Sequence, residues 1–268
     1  MSYKVYALDN LSPIEWSQAA WRLEGDNVTL DCDHELVHDV VLAHLPKHGI
    51  ILDAGCGTAK WPMYLRRLGY RVLGIDISHD ACAIAKRIDP GVDLVVSDTR
   101  RTALRDHSID AVMSLGVVEH EEAGPLAGLR ELHRILRPNG LIILDVPFNN
   151  LVRRFLTNPL QTWATRRRRR ASWKLGFNEY RFSKREVRGF LRATGFEPLA
   201  AYPNDLRPPR NMGLWVDYQN LTFNPFVPPR HEQLFIIPGA AGVMAHALMR
   251  WLPWSVCGEI TLVARARP

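Results

Sequence analysis

Cysteine is scarce in this chain of 268 residues, and the four present (Cys32, Cys56, Cys82 and Cys257) lie far apart. No paired spacing is available to hold zinc, and no dense pattern to staple a small secreted fold, so a reducing cytoplasm is the expected setting. The opening "MSYKVYALDN" lacks a basic segment followed by an apolar stretch, and no secretory leader is expected from it. Lysine is also rare, with 6 against 28 arginines and a formal net charge of +6. That balance permits an anionic partner, although a GC-rich genome produces the same skew. Internal repeats are absent too.

What is present is an ordinary globular composition, 47% hydrophobic, enough for one domain with insertions. Between residues 50 and 147 the runs "IILDAG", "YRVLGIDIS", "VDLVVSD", "IDAVMSLG" and "GLIILDVP" alternate with helix-like stretches. Runs this continuous in Val, Ile and Leu suit parallel strands covered on both faces. After Gly57, "TAKWPMYLRRLG" predicts a helix with Pro62 in its first turn and Gly69 at its end. Ser183 and Glu186 predict a capping box ahead of Val187, Phe190 and Leu191, with Gly195 closing the helix before a sixth strand, "FEPLAAY".

The chain then divides as residues 1–45, a helical cover containing "PIEWSQAAWRL" and "DHELVHDVVLAHL"; 46–147, the core; 148–182, an insertion; 183–202, core; 203–256, an apolar insertion; and 257–268, a last strand. Ligands of open α/β sheets bind beyond the carboxyl ends of the strands, so the first insertion is a candidate lid.

The stretch "ILDAGCGTAK" decides what the glycine turn faces. A dinucleotide fingerprint requires a third glycine where Lys60 stands, and Asp53 would put a carboxylate near a pyrophosphate. Asp76, nineteen residues after Gly57, suits ribose hydroxyls in either kind of site. S-adenosylmethionine has no phosphate but carries an ammonium, so Asp53 is compatible with it, and glycines let the backbone approach its methionine part.

At these residues the chain resembles the class I S-adenosylmethionine-dependent methyltransferases, and within them the small-molecule, ubiquinone-biosynthesis-like group. The resemblance rests on "LDAGCGTAKWPMYL", "GIDIS", "VVSDTRRTAL", "IDAVMSLGVVEH" and "ELHRILRPNGLIILDVP", and resumes over "FSKREVRGFLRATGFEPL" and "GEITLVARARP". It implies a Rossmann-like seven-stranded mixed sheet, last strand antiparallel, flanked by helices, into which the two insertions read above fall as lids after strands 5 and 6. It implies S-adenosylmethionine as cofactor, held by Asp53, Gly55, Cys56, Gly57, Asp76, Ile77, Asp98, Thr99 and Leu115. Of these, Asp98 would read the adenine amino group with the Thr99 backbone beside it. For each acid taken alone, a helix cap or turn is the alternative, and Cys56 reads as a packing residue rather than a nucleophile.

Methyl transfer mainly needs alignment of nucleophile, methyl carbon and sulfur, and exclusion of water. For a hydroxyl acceptor, His120 after the fourth strand is the candidate base, with loop ordering as its alternative role. Glu119, His120, Glu121 and Glu122 resemble a metal-binding run, but four adjacent residues rarely converge on one ion, and no metal is expected.

The arginine run at 166–170, beside Trp163 and Trp173, either grips phosphates or an anionic membrane, or is a solvated loop. Nucleic acid is disfavoured, since "SLGVVEH" stands where base methylases carry an Asn-Pro-Pro-Tyr-like motif and "NPF" at 224–226 is misplaced for one. The apolar segment 234–252 approaches the length of a membrane span; a returning last strand argues against crossing, so it should pack on the core or lie in an interface. The expectation is methyl transfer, at oxygen, to a small-molecule or lipid-linked acceptor in the cytoplasm or at the inner face of the membrane. An RNA methyltransferase and a nicotinamide-dependent oxidoreductase are the alternatives.

Overall fold

The computed structural model describes residues 2–7, 32–33, 37–170, 175–204 and 239–268. Seven strands form one sheet: β2 (Ile50–Ala54), β3 (Arg71–Asp76), β4 (Asp93–Val96), β5 (Ile109–Leu115), β6 (Leu136–Pro147), β8 (Phe196–Asn204) and β9 (Glu259–Ala266). Their spatial order is β4-β3-β2-β5-β6-β9-β8. Strands β2 to β6 pair in parallel, and β9 runs antiparallel to both β6 and β8, as the resemblance implies.

Side chains alternate across a strand, so each central strand feeds two apolar layers. Leu52, Val112 and Leu144 join Leu129, Leu132 and Ile135 of helix α4 (Leu126–Ile135) on one face. Ile51, Met113 and Ile143 join Trp61 and Leu65 of helix α2 (Lys60–Arg67) and Val41 of helix α1 (His38–His44) on the other. Burial on both sides explains why the strand runs lack polar alternation. Helix α3 (His79–Ile88) starts at Ser78, whose hydroxyl accepts from the Ala81 N–H at 3.2 Å. Helix α6 (Lys184–Ala193) starts at the expected box, Ser183 Oγ accepting from the Glu186 N–H and the Glu186 carboxylate accepting from the Ser183 N–H.

One expectation needs correction, and two open alternatives narrow. The opening is not wholly helical: β1 (Tyr3–Ala7) is a strand that pairs antiparallel with β7 (Gly176–Arg181) in a separate ribbon. Of the expected N-terminal helices, α1 is found and "PIEWSQAAWRL" lies outside the described residues. The arginine run is not a loop, because it ends helix α5 (Asn158–Arg170), which follows a π-turn at Arg153–Thr157. In the described part of 234–252, helix α7 (Gly239–Trp251) exposes Val243, Met244 and Trp251, as the interfacial alternative has it, before the short α8 (Pro253–Val256). Among the described residues no helix is long and apolar enough to cross a membrane. Trp173 and residues 205–238, "NPF" included, lie outside the described residues.

Candidate active site

The strand order reverses between β2 and β5, and in open α/β sheets the crevice outside the carboxyl ends at such a point is where ligands lie. The glycine turn follows β2 there. Gly55 and Cys56 both donate their N–H to the Ile75 carbonyl, at 2.7 and 2.9 Å. The Gly57 N–H donates to Asp76 Oδ2 and the Ser78 N–H to Asp76 Oδ1, each at 2.8 Å, so the expected ribose acid also clamps the turn to the end of β3. Gly55 has φ +86, and a Cβ there would lie 2.3 Å from Val117 Cγ2, which leaves no room for a side chain. A third bend escaped the sequence reading: Ala59, buried at the start of α2, sits in the left-handed region at φ 60. No glycine marks it.

Asp53, one residue from the end of β2, is 4% exposed. No hydrogen bond from the described residues reaches its carboxyl, and burial together with the nearby Asp76 carboxylate pushes its pKa up to about 7. Burial raises Asp76 as well, against the backbone N–H groups that stabilise its charge. Two buried acids, one without a donor, suit a cationic group and would repel a diphosphate. Cys56 packs beneath β3, where a Cβ on Gly74 would stand 2.8 Å from its Sγ; burial and both carboxylates push its thiol well up, so it is a packing residue rather than a thiolate.

Ile77 and Thr99 are half-buried in the loops after β3 and β4, which the Ser97 N–H joins by donating to the Asp76 carbonyl at 2.8 Å. Asp98 lies in the same loop, but Arg100 grips it with its guanidinium at 2.6 and 2.9 Å and with its N–H at 2.8 Å, holding the carboxyl below its usual range. An adenine amino group would therefore share Asp98 with Arg100, a partner the motif did not reveal. Leu115, half-buried at the end of β5, closes this group.

His120 ends the short 3-10 turn Val118–His120 beyond β5. Its Nδ1 lies 2.7 Å from the Asn178 carbonyl of β7, and its Nε2 lies 3.8 Å from Glu119 Oε1. The Tyr180 hydroxyl donates to the Glu122 carbonyl at 2.9 Å, so the β1–β7 ribbon covers this turn. Burial opposes the charged imidazole, but Glu119, the Asn178 carbonyl and Glu179 outweigh it and raise its pKa. Glu119 is 2% exposed; burial pushes it up to about 7 despite the neighbouring imidazole. Among the described residues no group of three or more His, Cys, Asp or Glu is placed to hold a metal ion.

The sequence also gave no warning of a buried polar knot at the ends of β6, β8 and β9. There Asp145 accepts from Asn204 and Thr261 and faces Glu259, which with burial pushes its carboxyl well above the usual range.

Residues 52–144 match the family model described as Methyltransferase domain. A malonyl-(acyl-carrier protein) O-methyltransferase of Yersinia pestis is 32% identical over 115 residues, 42% of this chain and 41% of that relative. A tRNA (carboxymethyluridine(34)-5-O)-methyltransferase of Arabidopsis thaliana is 32% identical over 111 residues, 39% of this chain and 26% of that relative. The matched stretch thus spans less than half the length of either relative. A crystal structure of a SAM-dependent methyltransferase from Methanosarcina mazei shares the fold, with a TM-score of 0.58 at 15% identity over 85% of this chain and 97% of that one.

The sheet order, the glycine turn clamped by Asp76 and these similarities are those of a class I S-adenosylmethionine-dependent methyltransferase domain. Residues 52–144 of this chain match the domain of that class and are related to its small-molecule and biosynthetic members, and none of these similarities favours the nicotinamide alternative.

Proposed function

We propose that the protein transfers the methyl group of S-adenosylmethionine to an oxygen of a small or lipid-linked acceptor, with His120 as the base. The cofactor supplies a methyl carbon already activated by positive sulfur. In this reading Asp53 takes its ammonium, Asp76 its ribose, and Asp98 with Thr99 the adenine edge. Ile77 and Leu115 flank the base, while Gly55, Cys56 and Gly57 bring the backbone against the methionine part.

The observation that carries the reading is the contact between His120 Nδ1 and the Asn178 carbonyl, 2.7 Å. A carbonyl only accepts, so Nδ1 carries the hydrogen and Nε2 is the basic nitrogen of the neutral ring. The ribbon that supplies the carbonyl also covers the turn, which would limit water around an activated methyl group. O-methyl transfer in the names of both relatives supports oxygen as the accepting atom.

Incubating the protein with labelled S-adenosylmethionine and separated lipid, aqueous and RNA fractions of the source cell tests the acceptor. Label in the lipid or aqueous fraction that mild base releases, as from a methyl ester, or that is recovered as an O-methyl ether, supports the reading; label confined to RNA, or carried on nitrogen or carbon, overturns it. His120→Gln should lower turnover about a hundredfold with cofactor affinity nearly unchanged. Because the base must be neutral and its pKa is raised, wild-type turnover should climb with pH above 6.5, and the variant should lose that limb.

A further inference from the structure

The segment 151–170 is built inside out. A surface helix normally turns its apolar stripe inward and its polar side to water. Here Arg153, Thr157, Asn158, Gln161 and Arg168 are buried, whereas Phe155 is 72% exposed, Trp163 58%, and Leu151, Leu156 and Leu160 about half. Leu156, Leu160 and Trp163 recur at helical spacing, so they form one outward stripe. Arg167 and Arg170 continue that stripe and Arg166 flanks it, all three exposed; the Arg167 guanidinium stands 5.6 Å from the Trp163 ring, Arg154 stands 5.7 Å from Phe155, and Arg169 turns instead to the Tyr6 ring at 4.6 Å. No Asp or Glu occurs between residues 151 and 170.

Helix α7 also turns apolar side chains outward. Val243, Met244, Leu248, Trp251 and Leu252 are exposed, Arg250 lies 5.7 Å from the Trp251 ring, and residues 239–258 also lack acids. The two segments leave the sheet at one place. The Phe148 N–H donates to the Gly258 carbonyl at 2.8 Å, Asn150 donates to the Cys257 carbonyl at 2.7 Å, and Arg153 bonds the Phe148 and Gly258 carbonyls together. Phe148 also meets Trp254 edge to face at 5.7 Å.

We infer that these two helices dock the protein on an anionic phospholipid bilayer, lying in the headgroup region without crossing it. Each has 13 residues, about 20 Å of helix at 1.5 Å per residue, against a hydrocarbon core of about 30 Å. The complementarity is twofold: outward Phe, Leu, Met and Trp match the acyl boundary, and a cationic, acid-free flank matches anionic headgroups. A water-facing helix has no use for the first, and a soluble phosphate ligand has no use for it either. The docking stands independently of which atom is methylated.

Flotation of the full chain with phosphatidylcholine vesicles containing or lacking about a third phosphatidylglycerol tests it. Binding is expected to the anionic vesicles only, and to weaken as salt rises. At about fivefold in partition per arginine, Arg166→Gln with Arg167→Gln should reduce binding about twenty-fivefold at low salt. Trp163→Ser should also release the protein, whereas Arg67→Gln with Arg192→Gln, elsewhere on the surface, should not. All these positions are exposed, and unchanged melting temperatures confirm that folding is intact. Equal loss in the control pair overturns the proposal. So does absence of vesicle binding, whether the wild type instead forms a dimer that Trp163→Ser dissociates or binds polyuridylate through its arginines.

Discussion

Replacing Asp53 by Asn should remove a pH dependence that the wild-type cleft imposes on cofactor binding. The acid is buried, accepts no hydrogen bond from the described residues, and titrates near 7 because of burial and Asp76. Its ordinary value is 3.8; raised to about 7, it leaves the free protein carrying mainly the neutral form below that pH. A bound ammonium favours the carboxylate, which returns the group toward its usual range. Affinity should then be flat above pH 7 and fall about tenfold per unit below it, roughly tenfold weaker at pH 6 than at pH 8, with about 0.9 proton released per binding event at pH 6. The sign for the free protein is the opposite. A folded-state pKa above the unfolded one gives stability that is complete below 3.8 and lost as pH rises through about 7, at most about 4 kcal/mol over the window. Calorimetric titration with S-adenosylhomocysteine, which keeps the ammonium, in two buffers of different ionisation enthalpy reads both slope and proton count. Asp53→Asn should bind more weakly above pH 7 and show neither slope nor release. An Asn variant that keeps the wild-type slope refutes the assignment of Asp53 to the ammonium.

Two further outcomes follow from the same geometry. Gly55→Ala places a Cβ 2.3 Å from Val117 Cγ2 at φ +86, so urea unfolding should show a loss of about 2–4 kcal/mol; adding Val117→Ala should recover the clash but not the backbone strain of about 1–2 kcal/mol. Glu131 accepts from the Thr102 N–H and hydroxyl and from Arg134, which holds its pKa down at about 2. Its contribution is present above about 4.5 and lost as pH falls through about 2; after allowance for solvent screening, that is about 1–2 kcal/mol, and acid unfolding of Glu131→Gln should be flatter across that window.

Much of the cofactor half was legible because its signals are local. The five apolar runs of the core became β2 to β6 in the expected places, Ser183 and Glu186 formed their box, and Gly55 sits where only glycine fits. What escaped depends on partners far away in sequence. Nothing in "YKVYA" names its partner strand, more than 160 residues on, which supplies the carbonyl beneath His120. That the arginine run is helical was not legible, because its helix hides polar residues and exposes apolar ones, inverting the periodic signal. Ala59 takes a left-handed bend that composition does not mark, and Asp145 meets Glu259 only through strand pairing. The glycine turn itself is held by the Asp76 carboxylate, a role compatible with, but not visible in, the spacing of the motif.

Thermal unfolding with each of two ligands, S-adenosylhomocysteine and a nicotinamide dinucleotide, tests the central claim most directly, since only the ligand that the folded cleft accepts raises the midpoint. At about a hundred times its dissociation constant, the sulfur nucleoside should stabilise wild type by about 2.7 kcal/mol, and the dinucleotide should leave the midpoint where it was. A midpoint raised by the dinucleotide and unmoved by the nucleoside contradicts the account.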